Sequence, residues 1–465
     1  MTLRTQPNYL ETLTELTAIC PVDGRYGQRT SQFRGLFSEY GLMKKRLLIE
    51  VLWLCHIAKS KKILNSKTIS KKTESEIIAI YDNFNLDEAR KVKDWEATTN
   101  HDVKAVEYYM KDKMISREPL RKLIPFIHFG CTSEDINNLA YTCILKESLE
   151  NHVTQDLQKI IDVLRENSGF HANAVMLSRT HGQAASPTTM GKEIANFCFR
   201  LETQLTNLKQ IKLVGKLNGA VGNYNALVVA YPNIDWPKLT EKFINTLDLE
   251  ISVYTTQIEP HDHLAQCCNQ LTVINSILID LCKDIWSYIS IGYFSQKVSK
   301  NETGSSTMPH KVNPIDFENA EGNLGMSNAI LKHFSEKLTI SRLQRDLSDS
   351  TVMRNLGLAM SYHYLAVMST LKGLDKLQIN STKMIKDLDE NWQVLAEPIQ
   401  TVMRSHGIDD AYEQLKDFSR GKEVSREILH DFLDKTALPK SKIKELKRLT
   451  PQSYIGLAPI LGKNV

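Results

Sequence analysis

The chain has 465 residues, of which 42% are hydrophobic and 24% are charged, and these proportions are ordinary for a globular protein with a large core. Its 58 basic and 54 acidic residues give a formal net charge of +4, too nearly balanced to predict a nucleic-acid binder. No run of eighteen apolar residues occurs, so we predict no membrane span.

The first twenty residues carry Arg4 and Glu11 and no apolar core, so we do not expect a signal peptide. Eight cysteines are scattered along the chain without the spacing of a zinc site. We therefore expect no bound metal at the cysteines, free thiols in a reducing compartment, and a cytoplasmic location.

Helical periodicity dominates, and four apolar seams follow one another along the chain. They run over Leu139–Leu164, Met190–Ile211, Leu264–Ile285 and Val352–Leu371. The third seam alternates steps of three and four residues, which predicts one long helix over about 261–297 packed lengthwise against others. Leu227–Ala230 is the best strand candidate. The sequence thus predicts a mostly helical protein with a central long-helix bundle, and such seams favour oligomerisation.

Two shifts in composition predict domain junctions. Lys111–Lys122 is charged and contains Pro119, and Gly373–Lys383 is polar with a weaker apolar pattern. We therefore predict an N-terminal helical domain over 1–121, a central bundle over 122–374 and a C-terminal helical domain over 375–465.

The loop Gly304–Pro314, GSSTMPHKVNP, is the most informative segment. Glycine frees its backbone, and prolines remove amide donors, so it interrupts the helical pattern on both sides. An ordinary surface connection would have this composition too. Paired hydroxyls and an ammonium on a glycine-hinged loop are also what a catalytic lid needs.

Four further segments concentrate polar residues of functional types. They are Thr98–Asp102, Thr132–Asp135, Ser178–Gln183 and Arg342–Arg354. Taken alone, each has a structural explanation: a helix N-cap at Thr132 or Ser133, a turn at His181, or a solvated charged face. The chain contains neither a G-x-G-x-x-G nor a G-x-x-x-x-G-K-[ST] motif, which argues against an ATP-driven mechanism.

The loop GSSTMPHKVNP resembles the signature loop of the fumarase/aspartase superfamily. Other segments resemble the branch of that superfamily that acts on adenylosuccinate, in its longer bacterial form; they are PVDGRYG, TTNHDVKAVEYY, CTSEDINN, SRTHGQ, NGAVGNYNA, TTQIEPHD, QRDLSDSTVMRN and NWQVLAEPIQTVMR. The resemblance covers about Leu16 to Leu457. Ala184 departs from it, because members commonly have proline after HGQ.

The resemblance implies an all-α fold of three helical domains whose central bundle is shared in a homotetramer, with active sites built by several subunits. It also implies a cofactor-free carbon–nitrogen lyase of purine nucleotide biosynthesis. Such an enzyme releases fumarate from adenylosuccinate, leaving AMP, and from SAICAR, leaving AICAR. Another fumarate-releasing lyase and a non-catalytic homologue are the alternatives. The segment PVDGRYG and the arginines Arg345 and Arg354, which the resemblance places near a substrate phosphate, argue against the first alternative, because the substrates of those lyases carry no phosphate. The presence of His181, Ser305, Lys311 and Glu318 together argues against the second.

By the same resemblance, His181 is the general acid, Ser305 rather than Ser306 is the base, and Glu318 orients the histidine. Such chemistry needs an acid to protonate the departing nitrogen and a base to remove a proton next to a carboxylate. A serine hydroxyl is a weak base, so Ser305 requires activation, which Lys311 and the loop amides would supply.

The resemblance also implies a substrate-binding set. On the nucleotide side these residues are Arg25, Tyr26, Asn100, His101 and Asp102. For His101 a catalytic role is the alternative. Residues implied for the succinyl group are Thr132, Ser133, Gln257, Ser306, Lys311 and Asn313. The phosphate-side residues are Arg345, Ser350 and Arg354.

Overall fold

The computed structural model describes residues 12–64, 68–297, 308, 311–419 and 424–465. Helices dominate this part of the chain, which confirms the predicted fold class. Among the described residues, none of the helices combines the length and the hydropathy that a membrane-spanning segment requires.

The described part of the first third of the chain contains a series of helices. Their bounds are α1 Arg34–Phe37, α2 Glu39–Ala58, α3 Lys71–Asp82, α4 Leu86–Thr99, α5 Asp102–Ile115 and α6 Glu118–Arg121. Short 3-10 turns at Ser31–Phe33 and Ile124–Phe126 flank this series.

The middle of the chain contains the long helices and short strand pairs. The elements are α7 Ser133–Ser148, α8 Thr154–Phe170, β1 Val175–Thr180, β2 Gln183–Thr189, α9 Met190–Lys209, β3 Val214–Gly215, α10 Asn225–Ala230, α11 Trp236–Thr246, β4 Glu250–Ile251, α12 Asp262–Ser290, β5 Phe294–Gln296, α13 Ile315–Lys337, α14 Ser348–Met353, α15 Leu356–Lys376 and β6 Leu377–Ile379. A π-turn at Leu149–Val153 joins α7 to α8. Strands β1 and β2 pair antiparallel, as do β5 and β6, whereas β3 and β4 pair parallel.

The last segment is again helical. Its elements are α16 Ser381–Asp389, a 3-10 turn at Trp392–Leu395, α17 Ala396–Ser405, α18 Ala411–Ser419, α19 Arg426–Asp434, α20 Lys440–Leu446 and α21 Ala458–Lys463.

Helix α12 confirms the third seam but ends earlier than predicted. All seven seam positions from Leu264 to Ile285 are at most 5% exposed. The helix has 29 residues, which corresponds to about 43 Å. It stops before 297 because Gly292 takes φ +79° and Tyr293 N–H donates to the Tyr288 carbonyl at 2.8 Å, an arrangement typical of a helix C-terminus.

One other sequence expectation needs correction. Leu227–Ala230 is not a strand but lies in α10. The prediction failed because a short apolar run has no periodicity that distinguishes a strand from a helix. Of the fourth seam, Val352 lies in α14, and the positions from Leu356 to Leu371 lie in α15. The seam of Met190–Ile211 corresponds to α9, ending at Lys209.

A buried polar cluster connects α12, α13 and α15. Asn275 Nδ2 donates to Ser327 Oγ at 3.2 Å and to Asn328 Oδ1 at 2.9 Å, and His363 Nδ1 lies 2.7 Å from Asn275 Oδ1. Ser327 Oγ donates to the Ala359 carbonyl at 2.9 Å. These contacts fix the relative register of the three helices where apolar packing alone would allow sliding.

The chain forms two compact units. The first comprises residues 1–156, 206–276 and 322–366, and the second comprises 157–205, 277–321 and 367–465. Helices α9, α12, α13 and α15 each contribute residues to both. The division into three domains at 121 and 374 stays a prediction, as does the homotetramer.

Candidate functional site

A sharp corner between α4 and α5 presents three of the predicted nucleotide-side residues. Asn100 ends α4 with φ +49°, a conformation that asparagine tolerates better than most residues. His101 is the N-cap of α5, and its Nδ1 accepts from the Lys104 N–H at 3.2 Å. Asp102 is the first residue of α5. The corner leaves about half of the His101 side chain exposed.

Asp102 is held by two arginines. Arg46 Nη2 and Arg354 Nη2 each lie 2.8 Å from Asp102 Oδ2. Burial raises the pKa of Asp102, but Arg46, the Val103 N–H and Arg354 lower it more, so the net pKa is below its usual range. The carboxylate therefore stays charged and keeps Arg354 beside the corner, where Glu39 Oε2 also contacts Arg354 Nη1 at 3.2 Å.

Arg46 extends this contact into the interior. Its side chain is only 1% exposed, and Nε donates to Asn137 Oδ1 at 2.8 Å. Asn137 Nδ2 in turn donates to Glu134 Oε1 at 2.8 Å. Arg345 Nη1 lies 3.3 Å from that same carboxylate oxygen and 3.4 Å from Asp349 Oδ2. One continuous set of polar contacts thus connects Asp102 with Arg345.

A small cavity of about 20 Å³ lies beside these contacts. Its polar lining consists of Glu134, Asn137, Asn138, Tyr141, Thr142, His261, His263, Asp349 and Ser350. Ser350 is placed there by the first turn of α14, where its N–H donates to Asp349 Oδ1 at 2.6 Å. Although acids and histidines meet here, no group of three or more His, Cys, Asp or Glu within the described ranges could hold a metal ion.

The predicted succinyl-side residues Thr132 and Ser133 lie at the N-terminus of α7. Thr132 forms a capping box with Asp135, whose Oδ2 accepts from the Thr132 N–H at 2.7 Å. The structural explanation for Thr132 is therefore correct, and it does not exclude a binding role. A helix N-terminus carries partial positive charge and directs N–H groups outward, which suits a carboxylate.

Gln257 lies at a junction of three segments. Its side-chain Nε2 donates to the Ala220 carbonyl at 3.2 Å, and its backbone N–H donates to the Gln344 carbonyl at 3.1 Å. Its own carbonyl accepts from Lys216 Nζ at 2.7 Å. The backbone of Gln257 is thus fixed next to the residue that precedes Arg345.

Arg25 and Tyr26 lie in a series of turns before α1. The Thr30 hydroxyl, which donates to the Val22 carbonyl at 2.9 Å, closes this segment. The Tyr26 ring packs against a small cluster containing Val22 and Tyr362. Arg25 is exposed.

The second unit contains His181 at the tip of the β1–β2 hairpin. Thr180 pairs with Gln183, so His181 and Gly182 are the two turn residues, with φ of +54° and +75°. The His181 side chain is exposed. The structural explanation of a turn histidine is thus correct for the backbone, and the turn presents the imidazole to solvent within a single chain.

The other predicted residues of this unit lie around the first turn of α13. Glu318 is exposed and its Oε1 accepts from Trp286 Nε1 at 3.1 Å. No hydrogen bond between Glu318 and His181 occurs among the described residues. Lys311 is exposed, Asn313 is half-buried, and the Lys311 N–H donates to the Met308 carbonyl at 3.0 Å. Ser305 and Ser306 lie outside the described residues.

Sequence reasoning missed the buried charges that hold the site residues. Arg46, Lys216, Asp135 and Glu134 contact predicted site residues, yet none was assigned a role. The sequence could have indicated a role for Arg46, because this arginine interrupts an otherwise apolar helix face in GLMKKRLLIEVLW. Nothing in the sequence indicated that Lys216 is buried, because a lysine between two loops is usually solvated.

Comparisons with known proteins identify the family of the chain. Residues 24–328 match the family described as Lyase, and residues 341–455 match the family described as Adenylosuccinate lyase C-terminal. The chain is 51% identical over 452 residues to adenylosuccinate lyase of Legionella pneumophila (strain Corby), covering 97% of this chain and 99% of that one. It is 49% identical over 447 residues to adenylosuccinate lyase of Vibrio cholerae serotype O1, covering 96% and 98%.

The crystal structure of a fumarate lyase from Mesorhizobium sp. BNC1 is similar to the fold, with a TM-score of 0.75. It is 17% identical in sequence, and the match covers 93% of this chain and 97% of that one. At that identity the likeness supports the fold only.

Proposed function

The chain belongs to the adenylosuccinate lyase family, and on this premise we propose that it releases fumarate from adenylosuccinate, leaving AMP, and from SAICAR, leaving AICAR. The observation that carries the proposal is the set of polar contacts in the first unit. It connects residues proposed for the nucleotide end, Asp102 and Arg354, with Arg345, whose partners Glu134 and Asp349 line the same cavity as Ser350.

Arg345 and Arg354 are proposed to bind the substrate phosphate. Each guanidinium carries five N–H donors, more than their ion pairs with Glu134, Asp349, Glu39 and Asp102 use. The acids hold the planes of the guanidinium groups, and a forked donor set suits phosphate oxygens. Arg25, Tyr26, Asn100 and His101 are proposed to complete the nucleotide side.

The succinyl carboxylates are proposed to bind at the α7 N-terminus, near Thr132 and Ser133, with Gln257, Ser306, Lys311 and Asn313. The reaction places negative charge on the carbon acid and its carboxylate, and fixed N–H dipoles and an ammonium stabilise that charge without having to reorganise.

Ser305 is proposed to remove a proton from the carbon next to one carboxylate, and His181 to give a proton to the nitrogen as its bond to carbon breaks. The electron pair of the C–H bond becomes the new double bond of fumarate, and that of the C–N bond leaves with nitrogen. Protonation is needed because an amine anion is a very poor leaving group. Glu318 is proposed to orient His181.

We propose a homotetramer whose active sites combine residues of several subunits. The exposed apolar side chains of the long helices support it. Phe199 in α9, Val273 in α12 and Met326 in α13 are 65%, 44% and 50% exposed, and large apolar side chains on bundle helices favour burial by a partner helix.

The direct test mixes the purified full-length protein with adenylosuccinate and follows ultraviolet absorbance, with fumarate and AMP quantified by chromatography. We expect equal amounts of both products. Argininosuccinate and aspartate serve as parallel substrates, since release of fumarate from one of them alone would favour a different lyase. No turnover of any of the three would favour a non-catalytic homologue.

A further inference from the structure

An ion pair with no exposed side-chain surface lies next to the proposed succinyl site. Lys216 Nζ and Asp135 Oδ1 are 3.0 Å apart, and both side chains are 0% exposed. Lys216 Nζ also donates to the Gly219 carbonyl at 3.0 Å and to the Gln257 carbonyl at 2.7 Å. Its three N–H donors thus match three acceptors from three different segments.

The Asp135 carboxylate also accepts several backbone hydrogen bonds. Its Oδ2 accepts from the Thr132 N–H at 2.7 Å and from the Gly219 N–H at 3.2 Å. Its Oδ1 accepts from the Asn218 N–H at 3.0 Å. One carboxylate therefore caps α7 and fixes the Asn218–Gly219 backbone at the same time.

The loop between these groups packs too closely to move on its own. Gly222 has φ +84°, and a Cβ at this position would lie 2.3 Å from the Thr255 carbonyl oxygen. Asn218 Nδ2 donates to Thr255 Oγ1 at 2.7 Å. The segment that carries Gln257 is thus held against the loop, and the loop is held to α7 by Asp135.

Burying two opposite charges costs desolvation energy that their mutual attraction often does not recover. An apolar pair would fill the same space without that cost, so stability alone does not explain the arrangement. What the pair provides is a fixed distance between the α7 N-terminus and Gln257, the two features proposed to bind the succinyl carboxylates.

We propose that Lys216, acting through Asp135 and the Gln257 carbonyl, is a positioning residue that sets the affinity of the site for the C4-dicarboxylate half of the substrate. Lys216 touches no substrate atom, because its side chain has no exposed surface. The proposal rests on the function proposed above. It assigns Lys216 to the dicarboxylate end, because Asp102 on the nucleotide side is paired with Arg46 and Arg354 rather than with Lys216.

The test measures the binding of each product separately, by equilibrium dialysis of the full-length protein with labelled fumarate or labelled AMP. In Lys216→Met we expect the dissociation constant for fumarate to rise by about tenfold or more, as when an outer partner of a binding group is removed. The dissociation constant for AMP should change less than about twofold, because a substitution has little effect on a distant site with which it shares no partner. Lys216→Arg should shift fumarate affinity in the same direction by less, because its planar fork cannot reach all three acceptors in the same way.

Lys45→Met is the matched control. It breaks a half-buried ion pair in the same unit, between Lys45 Nζ and Glu147 Oε2 at 2.5 Å, that touches no proposed site residue. We expect neither affinity to change. Melting temperatures of all variants establish that the dialysed proteins are folded, and Lys216→Arg supplies the result if Lys216→Met does not fold.

Unchanged fumarate affinity in a folded Lys216 variant would overturn the proposal, and so would a parallel loss of AMP affinity, which indicates a general structural role. The parent protein separates the two levels of inference. If it does not cleave adenylosuccinate, the proposed function fails; if it does and the variants show no selectivity, only the role of Lys216 fails.

Discussion

His181 and Gly182 form a two-residue hairpin turn in which both residues have positive φ. Positive φ at both turn residues matches the right-handed twist of the two paired strands, and asparagine and glycine adopt positive φ at the lowest energetic cost. Histidine at the first position stores some backbone strain, and such strain concentrates at functional sites. The turn thus fixes where the imidazole projects from the second unit.

Replacing His181 by asparagine separates chemistry from backbone geometry. Asparagine accepts the left-handed conformation but cannot act as a general acid near neutral pH. We expect turnover of adenylosuccinate to fall by about a hundredfold or more, with an unchanged melting temperature. His181→Ala should lose as much turnover and also melt lower. Near-normal turnover in the asparagine variant would refute the acid role.

The residues whose roles depend on local chemistry could be predicted from the sequence. The N-cap at Thr132 could be predicted from a hydroxyl side chain followed by acidic residues. The corner at Asn100 lies in Thr98–Asp102, one of the four polar segments of the sequence analysis. Arg46, Lys216 and Gln257 could not be understood in this way. Arg46 bonds Asn137 from 91 positions away, and Lys216 reaches Gln257 across 41, and no local pattern encodes such partners.

At the scale of elements, long helices were predicted where an apolar seam continues for many turns, as in α9 and α12. The β1–β2 hairpin was missed because its strands carry Ser, Arg, Pro and Gln, and its turn, His-Gly, is not among the usual hairpin signals. The end of α12 was placed late because an apolar seam does not report the C-terminal glycine that stops a helix.

The cluster connecting α12, α13 and α15 predicts acid sensitivity. Burial lowers the pKa of His363 to about 4; its Nε2 is buried without a hydrogen-bond partner among the described residues. The unfolded chain binds a proton below its ordinary pKa of 6.5, which the folded chain does not bind until about 4. Stability therefore falls as pH falls through this window, by at most about 1.4 kcal/mol per pH unit.

His363→Asn keeps an N–H donor for Asn275 Oδ1 and removes the titration. We expect its unfolding free energy, from urea denaturation at several pH values between 7 and 4, to decline less steeply than that of the parent. The difference between the two slopes isolates His363 from the carboxylates that both proteins share. Parallel slopes would show that His363 does not remain neutral in the folded helices.

At the scale of the whole molecule, the sequence predicts one bundle shared among subunits, and we propose that sites combine residues of different chains. Two variants, each inactive alone, test this idea: His181→Asn and Ser305→Ala. If the two residues of one site come from different chains, random mixing of subunits leaves about one quarter of the sites with both residues intact.

We therefore expect co-expression of the two variants with distinct affinity tags to restore activity in the doubly purified oligomer. Each variant co-expressed with itself is the control and should remain inactive. No recovery in an oligomer that demonstrably contains both chains would place His181 and Ser305 of one site on the same subunit. A monomer peak in sedimentation would reject the shared sites outright.

Each of the two compact units is assembled from three separate stretches of sequence, and several long helices begin in one and end in the other. No single cut in the gene releases either unit as an uninterrupted polypeptide. Recombination between related genes at positions such as 205 or 276 would divide a helix and leave both cores incomplete. We therefore expect exchange of fragments with a related gene to preserve folding better at the N- and C-terminal segments than at junctions within α9 or α12.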